Sequence, residues 1–173
     1  GGGWKAGHAG LGGKDWRGPR APGGAIGKAE RRLGGRQAPV GGWAGGRAGF
    51  YGLPPGFCPA STERPVGGLG ALWSEHPDCL MQTHLSEQKA EIEWVHDLFP
   101  NARDYLDTYE AFGLLGPKGL YGHAIHLEPR EIDRLREVGA AVVHCPTSNT
   151  FIGSGLFDLM GLARAGLRIG LAT

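Results

Sequence analysis

The stretch MQTHLSE, residues 81–87, decides the fold, because a short apolar run ends there and polar residues of catalytic type follow at once. The pattern predicts a buried strand over residues 79–84, with Ser86 as the N-cap of the helix that follows. His84 then lies at the carboxyl end of a strand and Glu87 in the adjoining turn. At the rim of an α/β barrel, such an imidazole can bind a metal and such a carboxylate can transfer a proton. On this stretch alone, an ordinary strand-to-helix turn, with Glu87 complementing the helix dipole, fits equally well.

Downstream of this stretch, helical and strand patterns alternate regularly, and a helical spacing of apolar residues also precedes it. Strands that alternate with helices at this spacing form parallel βαβ units, so the predicted fold class is α/β. The chain has 173 residues, whereas a typical (β/α)8 barrel of TIM type needs roughly 250, so we predict a partial barrel. The predicted helices cover residues 89–98, 105–112, 129–138 and 155–165, and the further strands cover residues 120–124, 141–145 and 167–172.

Each of the first three strands ends on a histidine or just short of one. These are His84, then His123 with His126 after a turn, and then His144, which CPTSN follows. Because the carboxyl ends of successive parallel strands meet at one rim, we expect these histidines to share a pocket. Simpler interpretations stay open: His126 can be a loop residue, and His144 can be a core histidine that is hydrogen-bonded to the backbone.

Charge is distributed unevenly along the chain. The formal net charge is +1, but residues 1–50 hold nine Lys or Arg and two acidic residues, whereas the remainder holds nine and fifteen. The three cysteines, Cys58, Cys79 and Cys145, lack metal-type spacing, which favours a reducing compartment over a disulfide framework. No apolar run reaches the roughly 18 residues of a membrane span. We therefore expect a soluble cytoplasmic protein without a membrane partner.

Residues 1–56 form a low-complexity, Gly/Arg-rich segment in which no helical or strand period persists. Pieces such as GGWAGGRAGF hold too little apolar surface to offset the entropy of ordering the chain. We predict that this segment is disordered and that the folded domain covers residues 57–173. GC-rich DNA that is translated in a wrong frame has the same composition. Arg and Trp among glycines also occur in RNA-binding arms, but no RGG repeat is present, so nucleic acid is not an expected partner.

Several sequence blocks are specific in combination. They are MQTHLSEQKAEIEWV, DYLDTYE, FGLLG, LYGHAIHL, GAAVVHCPTSNTFIGSGLF and AGLRIGLAT. From about Phe57 to the end, the chain resembles the carboxyl-terminal half of guanine deaminases, which are zinc enzymes of the amidohydrolase superfamily. The resemblance implies a (β/α)8 barrel of which this chain supplies strands 5 to 8. It also implies one zinc ion, guanine as the substrate and a homodimer in the intact family.

By the same resemblance, His84 is the fifth-strand zinc ligand and Glu87 is the proton shuttle. His123 is then the sixth-strand histidine that faces the substrate and the zinc-bound water. The implied reaction is the hydrolysis of guanine to xanthine and ammonia. Phe57 matches the aromatic member of an Arg-Phe pair that holds the purine in this family, whereas Gly56 stands where the arginine is expected.

The chain departs from the family pattern at the other ligand positions. No His-X-His occurs in it, and Thr173 ends the chain after Leu-Ala, where the family continues to an aspartate ligand. One ligand does not build a zinc site, so we expect a fragment, from a truncated or frameshifted reading frame, that is inactive and does not hold zinc by itself. Ser148 and Asn149 are expected to shape the rim. Two alternatives stay open: another amidohydrolase that acts on pyrimidines, triazines or nucleosides, and a non-enzymatic remnant with a basic RNA-binding arm.

Overall fold

The computed structural model describes the backbone of residues 52–56 and the chain over residues 63–172, with side chains from residue 68 onward. The predictions for residues 1–51 and for Phe57 lie outside these residues. No helix within the described ranges has the length and apolar character needed to cross a membrane.

The described residues form alternating strands and helices. The predicted helices over residues 89–98 and 129–138 have the predicted bounds, and each predicted strand is present within one residue of its predicted ends. In chain order the elements are β1 (Gly52–Gly56), α1 (Glu63–Glu75), β2 (Leu80–Leu85), α2 (Lys89–Leu98), α3 (Tyr105–Ala111), β3 (Gly119–His123), α4 (Pro129–Val138), β4 (Ala141–His144), α5 (Pro146–Ile152), α6 (Leu159–Arg164) and β5 (Arg168–Leu171).

The strands form one parallel sheet in the order β1-β2-β3-β4-β5. In a doubly wound sheet the strand order reverses at a switch point, and no reversal occurs among these strands. A sheet that adds each new strand on the same side is the arrangement of an opened (β/α)8 barrel. The register pairs Met81 with Gly119 and Leu85 with His123, so β2 and β3 end at the same level.

The two faces of the sheet have different environments. In β2, Met81, Thr83 and Leu85 are buried, whereas Gln82 and His84 are exposed. The buried face packs against the helices in one apolar core, in which each large side chain contributes about 1.5–3 kcal/mol relative to exposure. The core therefore lies on the helical side of the sheet, and His84 lies on the opposite side. Large, fully buried members of the core are Met81, Leu85, Leu106, Tyr109, Leu114, Tyr121 and Leu135.

The sequence pattern predicts no strand over residues 52–56, but β1 forms there. Its backbone pairs in parallel with β2, and the register shifts before Gly56, which is the partner of Thr83. The segment GLPPG contains two prolines, which cannot donate to a strand ladder and are confined to edge strands or bulges. The strand forms because β2 offers it a pairing edge, a tertiary contact that the local pattern does not display. The boundary between residues 56 and 57 stays a prediction.

The helices that follow β2 and β3 begin in the same way. The N-cap of α2 is Gln88, so the prediction of Ser86 is wrong; Ser86 has a φ of +48° and lies in the preceding turn. Glu91, at the third position of α2, accepts a hydrogen bond from the N–H of Gln88 at 3.1 Å. Glu131 accepts in the same manner from the N–H of Glu128, at 2.7 Å, at the start of α4. Both pairs are capping boxes, which satisfy N–H groups that a helix start leaves without partners.

The helices near the carboxyl terminus differ from the prediction. The PTSN motif begins helix α5, with Pro146 in its first turn, where a missing N–H removes no helical hydrogen bond. The helix predicted over residues 155–165 begins only at Leu159. Asp158 caps it there by accepting from the N–H of Gly161 at 2.9 Å. The local side-chain cap therefore decides the start of this helix, and the apolar spacing before it does not.

Gly70 lies where α1 passes the end of α3. A Cβ at this position would be 1.7 Å from the carbonyl oxygen of Phe112, a backbone atom that cannot turn aside as a flexible side chain can. We expect Gly70→Ala to lower the free energy of unfolding by about 2 kcal/mol or more, as measured by urea denaturation. Ala71→Ser, at the exposed neighbouring position, is the control and should change it by less than about 0.5 kcal/mol. Equal stability of the two variants would contradict the close approach.

Burial raises the pKa of Glu131 from 4.5 to about 7, although the backbone N–H groups of Glu128 and Leu106 act against this shift. Asp104 acts in the same direction as burial, and Arg130 acts in the opposite direction. The folded chain therefore keeps a proton that the unfolded chain releases from about pH 4.5 upward. The free energy of unfolding should fall as the pH rises from about 4.5 to 7, by on the order of 3 kcal/mol for this group, and should then level off.

Urea denaturation at several pH values across this interval measures the decline. Glu131→Gln removes the titrating group, so its unfolding free energy should decline less steeply with pH than that of the unaltered chain. Glu137→Gln, at an exposed position of the same helix, should keep the original slope. A slope in the Glu131→Gln variant that equals the original would refute this assignment.

Candidate active site at the carboxyl ends of β2 and β3

The turns that follow β2 and β3 are joined by backbone hydrogen bonds. The carbonyl oxygen of Ser86 accepts from the N–H of Ile125 at 3.2 Å and of His126 at 3.0 Å. Ser86, His123 and Ala124 have φ values of +48°, +70° and +49°, in the left-handed region that residues other than glycine seldom adopt. Backbone strain of this kind persists only where the surrounding structure enforces it, and it is frequent at functional sites.

His123 contacts a carboxylate and an amide. Its Nδ1 lies 3.0 Å from Oε1 of Glu87 and 2.7 Å from Oδ1 of Asn149, and all three side chains are buried. Since both neighbours are acceptors in this arrangement, a neutral ring carries its proton on Nδ1 and leaves Nε2 as the acceptor nitrogen. The two contacts therefore fix both the orientation and the tautomer of the ring.

Glu87 is held between the turn after β2 and the segment after α5. Besides its contact with His123, its Oε1 accepts a hydrogen bond from Oγ of Ser154 at 3.2 Å. Burial raises the pKa of Glu87, and the nearby His123 and the Ser154 hydroxyl act against that rise. A carboxyl group whose pKa is raised can take up and release a proton closer to neutral pH, which is the requirement for general acid–base catalysis.

His84 lies against His123 on the face of the sheet opposite the core. The two rings stack, with centroids 5.0 Å apart and planes inclined by 21°. The backbone oxygen of His84 accepts from the hydroxyl of Tyr109 at 2.8 Å, which ties the strand end to α3. Although His84 is exposed on this face, its ring packs against neighbouring groups; this partial loss of water, together with the charge of His123, lowers the pKa of His84 to about 4. The ring is therefore neutral at pH 7, which is the form of imidazole that binds metal ions.

A pocket of about 160 Å³ lies beside these rings, on the face that is the interior of a closed barrel. The ends of four neighbouring strands contribute its walls, as the parallel order of the sheet requires. Residues lining it include Gln82, His84, Gly122, His123, Val143, Cys145 and Ala172.

A larger cavity, of about 400 Å³, lies between the helices on the other side of the sheet. Its walls include Ile92, Phe99 and Pro129, and it does not contain His84, Glu87 or His123. The smaller pocket is therefore the one that His84 and His123 share, and Glu87 contacts it through His123.

The other predicted histidines do not join the cluster. His126 is a loop residue, as one interpretation of the sequence predicts, and its Nε2 lies 2.9 Å from the carbonyl oxygen of Ser154. His144 is half-buried and stacks on Phe157, with ring centroids 4.6 Å apart. Its Nδ1 has no hydrogen-bond partner among the described residues, so a backbone partner for that nitrogen is absent from this part of the chain.

Metal ligation by the described residues is incomplete. No group of three His, Cys, Asp or Glu side chains within residues 68–172 lies close enough together to hold an ion. A hydrolytic zinc site uses three or more protein ligands, and His84 can supply one of them. At the rim, Ser86 Oγ, His144 Nδ1 and Asn149 Nδ2 are buried without partners in the described part of the chain. The residues present therefore fit part of a polar site and do not fit a complete zinc site.

Asn149 and Ser154 make more direct contacts with the candidate catalytic residues than the sequence predicts. The sequence suggests only a rim-shaping role for Asn149 and none for Ser154, yet they contact His123 and Glu87 directly. The available signal was the polar TSN run that directly follows a strand ending in His144. Helix α5 directs the side-chain amide of Asn149 towards His123 at the end of β3. The sequence alone does not predict this direction, because it does not predict the helix.

Comparison with known proteins assigns the chain to a family. The sequence profile described as the amidohydrolase family matches residues 21–173. This chain belongs to the amidohydrolase family. The family consists of hydrolytic enzymes, and its fold agrees with the partial α/β barrel of the strands and helices, so the predicted fold class is confirmed.

Guanine deaminase of Escherichia coli K12 is 40% identical to this amidohydrolase chain over 124 residues, which are 72% of this chain and 28% of that protein. The E. coli guanine deaminase structure superposes with a TM-score of 0.80 at 36% identity, over 84% of this chain and 34% of that one. Guanine deaminase from C. acetobutylicum, solved with guanine bound, gives a TM-score of 0.73 at 26% identity, over 83% and 35% of the two chains.

An adenosine deaminase from Xanthomonas campestris with bound zinc gives a TM-score of 0.74 at 21% identity, over 83% of this chain and 32% of that one. At that identity the likeness concerns the fold alone. Zinc is thus present in a structural relative of this amidohydrolase chain. The chain spans about a third or less of the length of the relatives that it matches.

Replacement of Asn149 by Ala should destabilise the chain and loosen His123. The buried bond from Nδ1 of His123 is lost, which should lower the free energy of unfolding by about 1–2 kcal/mol. The His123 ring proton should also exchange with water faster, as seen by NMR. Asn101→Ala, at an exposed loop position, is the control and should change neither quantity. Unaltered ring-proton exchange in Asn149→Ala would mean that this amide does not hold the ring.

Proposed function

We propose that this chain forms the carboxyl-terminal half of the barrel and active site of a zinc-dependent guanine deaminase. The observation that carries the proposal is the buried contact between Glu87 and His123, 3.0 Å long, beside the stacked ring of His84. It is supported by 40% identity to the E. coli guanine deaminase over 124 residues. This identity supports guanine as the substrate, rather than the pyrimidines, triazines or nucleosides of the alternative reactions.

Each residue of the cluster then has one role. His84 is a metal ligand, since its neutral ring lies at a strand end beside the pocket. Glu87 is the proton shuttle, because it is buried, its pKa is raised, and it contacts a second titratable group. His123 faces the substrate with the nitrogen that neither Glu87 nor Asn149 occupies. When bound, zinc lowers the pKa of water and so supplies a nucleophile at neutral pH.

The proton transfers follow from the position of Glu87. Water adds its oxygen to C2 of guanine, and Glu87 takes the proton that the water gives up. The carboxyl group passes this first proton to the adjacent ring nitrogen. It then takes the second proton from the hydroxyl group on C2 and gives it to the amine, which leaves as ammonia while C2 keeps the oxygen as a carbonyl. His123 can accept a hydrogen bond at Nε2 from the attacking water and then from the hydroxyl group that forms on C2, and Ser154 and Asn149 hold the two side chains in place.

The remaining predictions from the sequence are part of this proposal. The side chains of residues 68–172 supply too few ligands for zinc, so this chain by itself is expected neither to hold the ion nor to turn over guanine. Phe57 is proposed to pack on the purine, with Gly56 in place of the expected arginine. A homodimer and a cytoplasmic location are proposed for the whole enzyme, and residues 1–56 are proposed to lie outside the folded domain except where β1 pairs.

A chimera tests the proposal, because it adds the missing parts of the barrel. Residues 63–172 of this chain replace the aligned segment of the E. coli guanine deaminase, and xanthine formation is measured in the presence of zinc. We expect the chimera to deaminate guanine. Glu87→Gln in the chimera should lower kcat by about 10²–10⁴-fold, as loss of a general acid–base group does.

Glu93→Gln provides the control, since it removes a carboxylate from an exposed position of α2 and should leave kcat unchanged. The 173-residue chain alone should show no turnover. The proposal fails if the chimera is folded and binds zinc but does not act on guanine, or if Glu87→Gln retains the full rate. Faster turnover of a pyrimidine or triazine than of guanine by the chimera would favour the other amidohydrolase reactions.

A further inference from the structure

Glu91 makes three hydrogen bonds from a fully buried position in the first turn of α2. Its Oε2 accepts from the N–H of Glu87 at 3.0 Å and from the N–H of Gln88 at 3.1 Å. Its Oε1 accepts from the hydroxyl of Tyr105 at 2.7 Å. The carboxyl group therefore connects α3 to the backbone of Glu87.

A capping box alone does not require the bond to Glu87. In such a box the carboxyl group at the third helical position binds the N–H of the N-cap residue. Glu131 does this at the start of α4 and directs its other oxygen to the N–H of Leu106, at 3.0 Å, in a different helix. Glu91 and Glu131 thus have the same helical position, burial and cap bond, and they differ in that only Glu91 also binds the residue before the cap.

Hydrogen bonds hold the peptide group between Ser86 and Glu87 through both its carbonyl oxygen and its N–H. The turn between β2 and the N-cap contains only Ser86 and Glu87, and Ser86 has a φ of +48°. On one side, the carbonyl oxygen of Ser86 accepts from the N–H groups of the loop after β3. On the other side, the N–H of Glu87 donates to Glu91. These bonds fix the carbonyl oxygen and the N–H of the peptide group that joins Ser86 to Glu87, and so fix the backbone from which the Glu87 side chain extends.

We propose that Glu91 is a positioning residue, which holds the backbone of Glu87 so that the Glu87 carboxyl group reaches His123. The catalytic consequence rests on the function proposed above, whereas the structural part concerns this chain alone. Positioning of this kind matters because a displacement of about 1 Å in a reacting group can lower a rate by roughly 100-fold.

The hydrogen-bond pattern distinguishes two substitutions at this position. In Glu91→Gln, the amide oxygen can accept from both backbone N–H groups, and the amide nitrogen can donate to the hydroxyl oxygen of Tyr105. In Glu91→Ala, the two N–H groups lose their acceptor. Gln should therefore preserve the position of Glu87, and Ala should release it.

NMR of the full 173-residue chain tests the structural part without any assumption about the reaction. In Glu91→Ala, we expect the amide of Glu87 to exchange with water at least about tenfold faster, and the ring nitrogen shifts of His123 to change. Glu91→Gln should keep both signals close to those of the unaltered chain. Glu131→Ala is the matched control, which should expose the amides of Glu128 and Leu106 and leave Glu87 and His123 unchanged.

A milder pair of variants covers the case in which truncation of a buried carboxyl group unfolds the chain. Tyr105→Phe removes only the hydroxyl that orients Glu91 and should still speed exchange of the Glu87 amide, by about two- to fivefold. Tyr121→Phe removes an equally buried hydroxyl that donates to Leu114 at 2.6 Å, and it should leave that amide unchanged. An unaltered Glu87 amide in Tyr105→Phe and in any folded Glu91→Ala variant would overturn the proposal.

Kinetics of the chimera test the catalytic part. Glu91→Ala should lower kcat by about 10–100-fold, with the KM for guanine changed less than about twofold, and Glu91→Gln should restore most of the rate. Glu131→Ala should change neither constant. A higher KM at constant kcat in Glu91→Ala would overturn the positioning role. An unaltered chimera without guanine turnover would count against the proposed function, and the NMR result would still decide the position of Glu87.

Discussion

The parallel pairing of β2 with β3 is the constraint on which the site depends. Its register sets Leu85 opposite His123, so the chain leaves both strands at the same level and the two turns that follow lie side by side. Those turns then bind each other through the carbonyl oxygen of Ser86. Without this pairing, His84 and His123 would be residues 39 positions apart in the sequence; with it, their rings stack at 5.0 Å.

The division of the sheet into two faces explains why a polar site forms here at low cost. Apolar side chains of alternate strand residues pack against the helices on one face, and this burial provides the stability. The other face is free to carry Gln82, His84 and the pocket. The strained backbone at Ser86, His123 and Ala124 is tolerated because several backbone hydrogen bonds and the packed core enforce it.

Three buried carboxyl groups, those of Glu87, Glu91 and Glu131, make different contacts with respect to the pocket. Glu87 contacts His123 directly, and Glu91 holds the backbone of Glu87 from the next helical turn. Glu131 has the same local geometry as Glu91 but supports only the helical layer. Identical local motifs thus acquire different roles, because the chain segment that faces each one is different. Among the side chains that the structure describes, no three His, Cys, Asp or Glu lie close enough together to hold a metal ion, and the chain spans about a third of the length of its relatives.

The sequence by itself determined the alternation of strands and helices from β2 onward, apart from α5, together with the α/β class and the placement of His84 and His123 at strand ends. These features depend on local hydrophobic periodicity and on helix-breaking residues, which a single segment displays. It did not determine β1, whose proline-containing segment becomes a strand only by pairing with β2.

Tertiary structure also decided the N-cap at Gln88, the contact of Asn149 with His123, and the bond from Glu91 to Glu87. The physical reason is the same in each case. A hydrogen bond depends on distance and direction to within a few tenths of an ångström, and these quantities exist only after the strands and helices have packed. Residue type and spacing can name the groups that carry chemistry, but packing selects which of them meet.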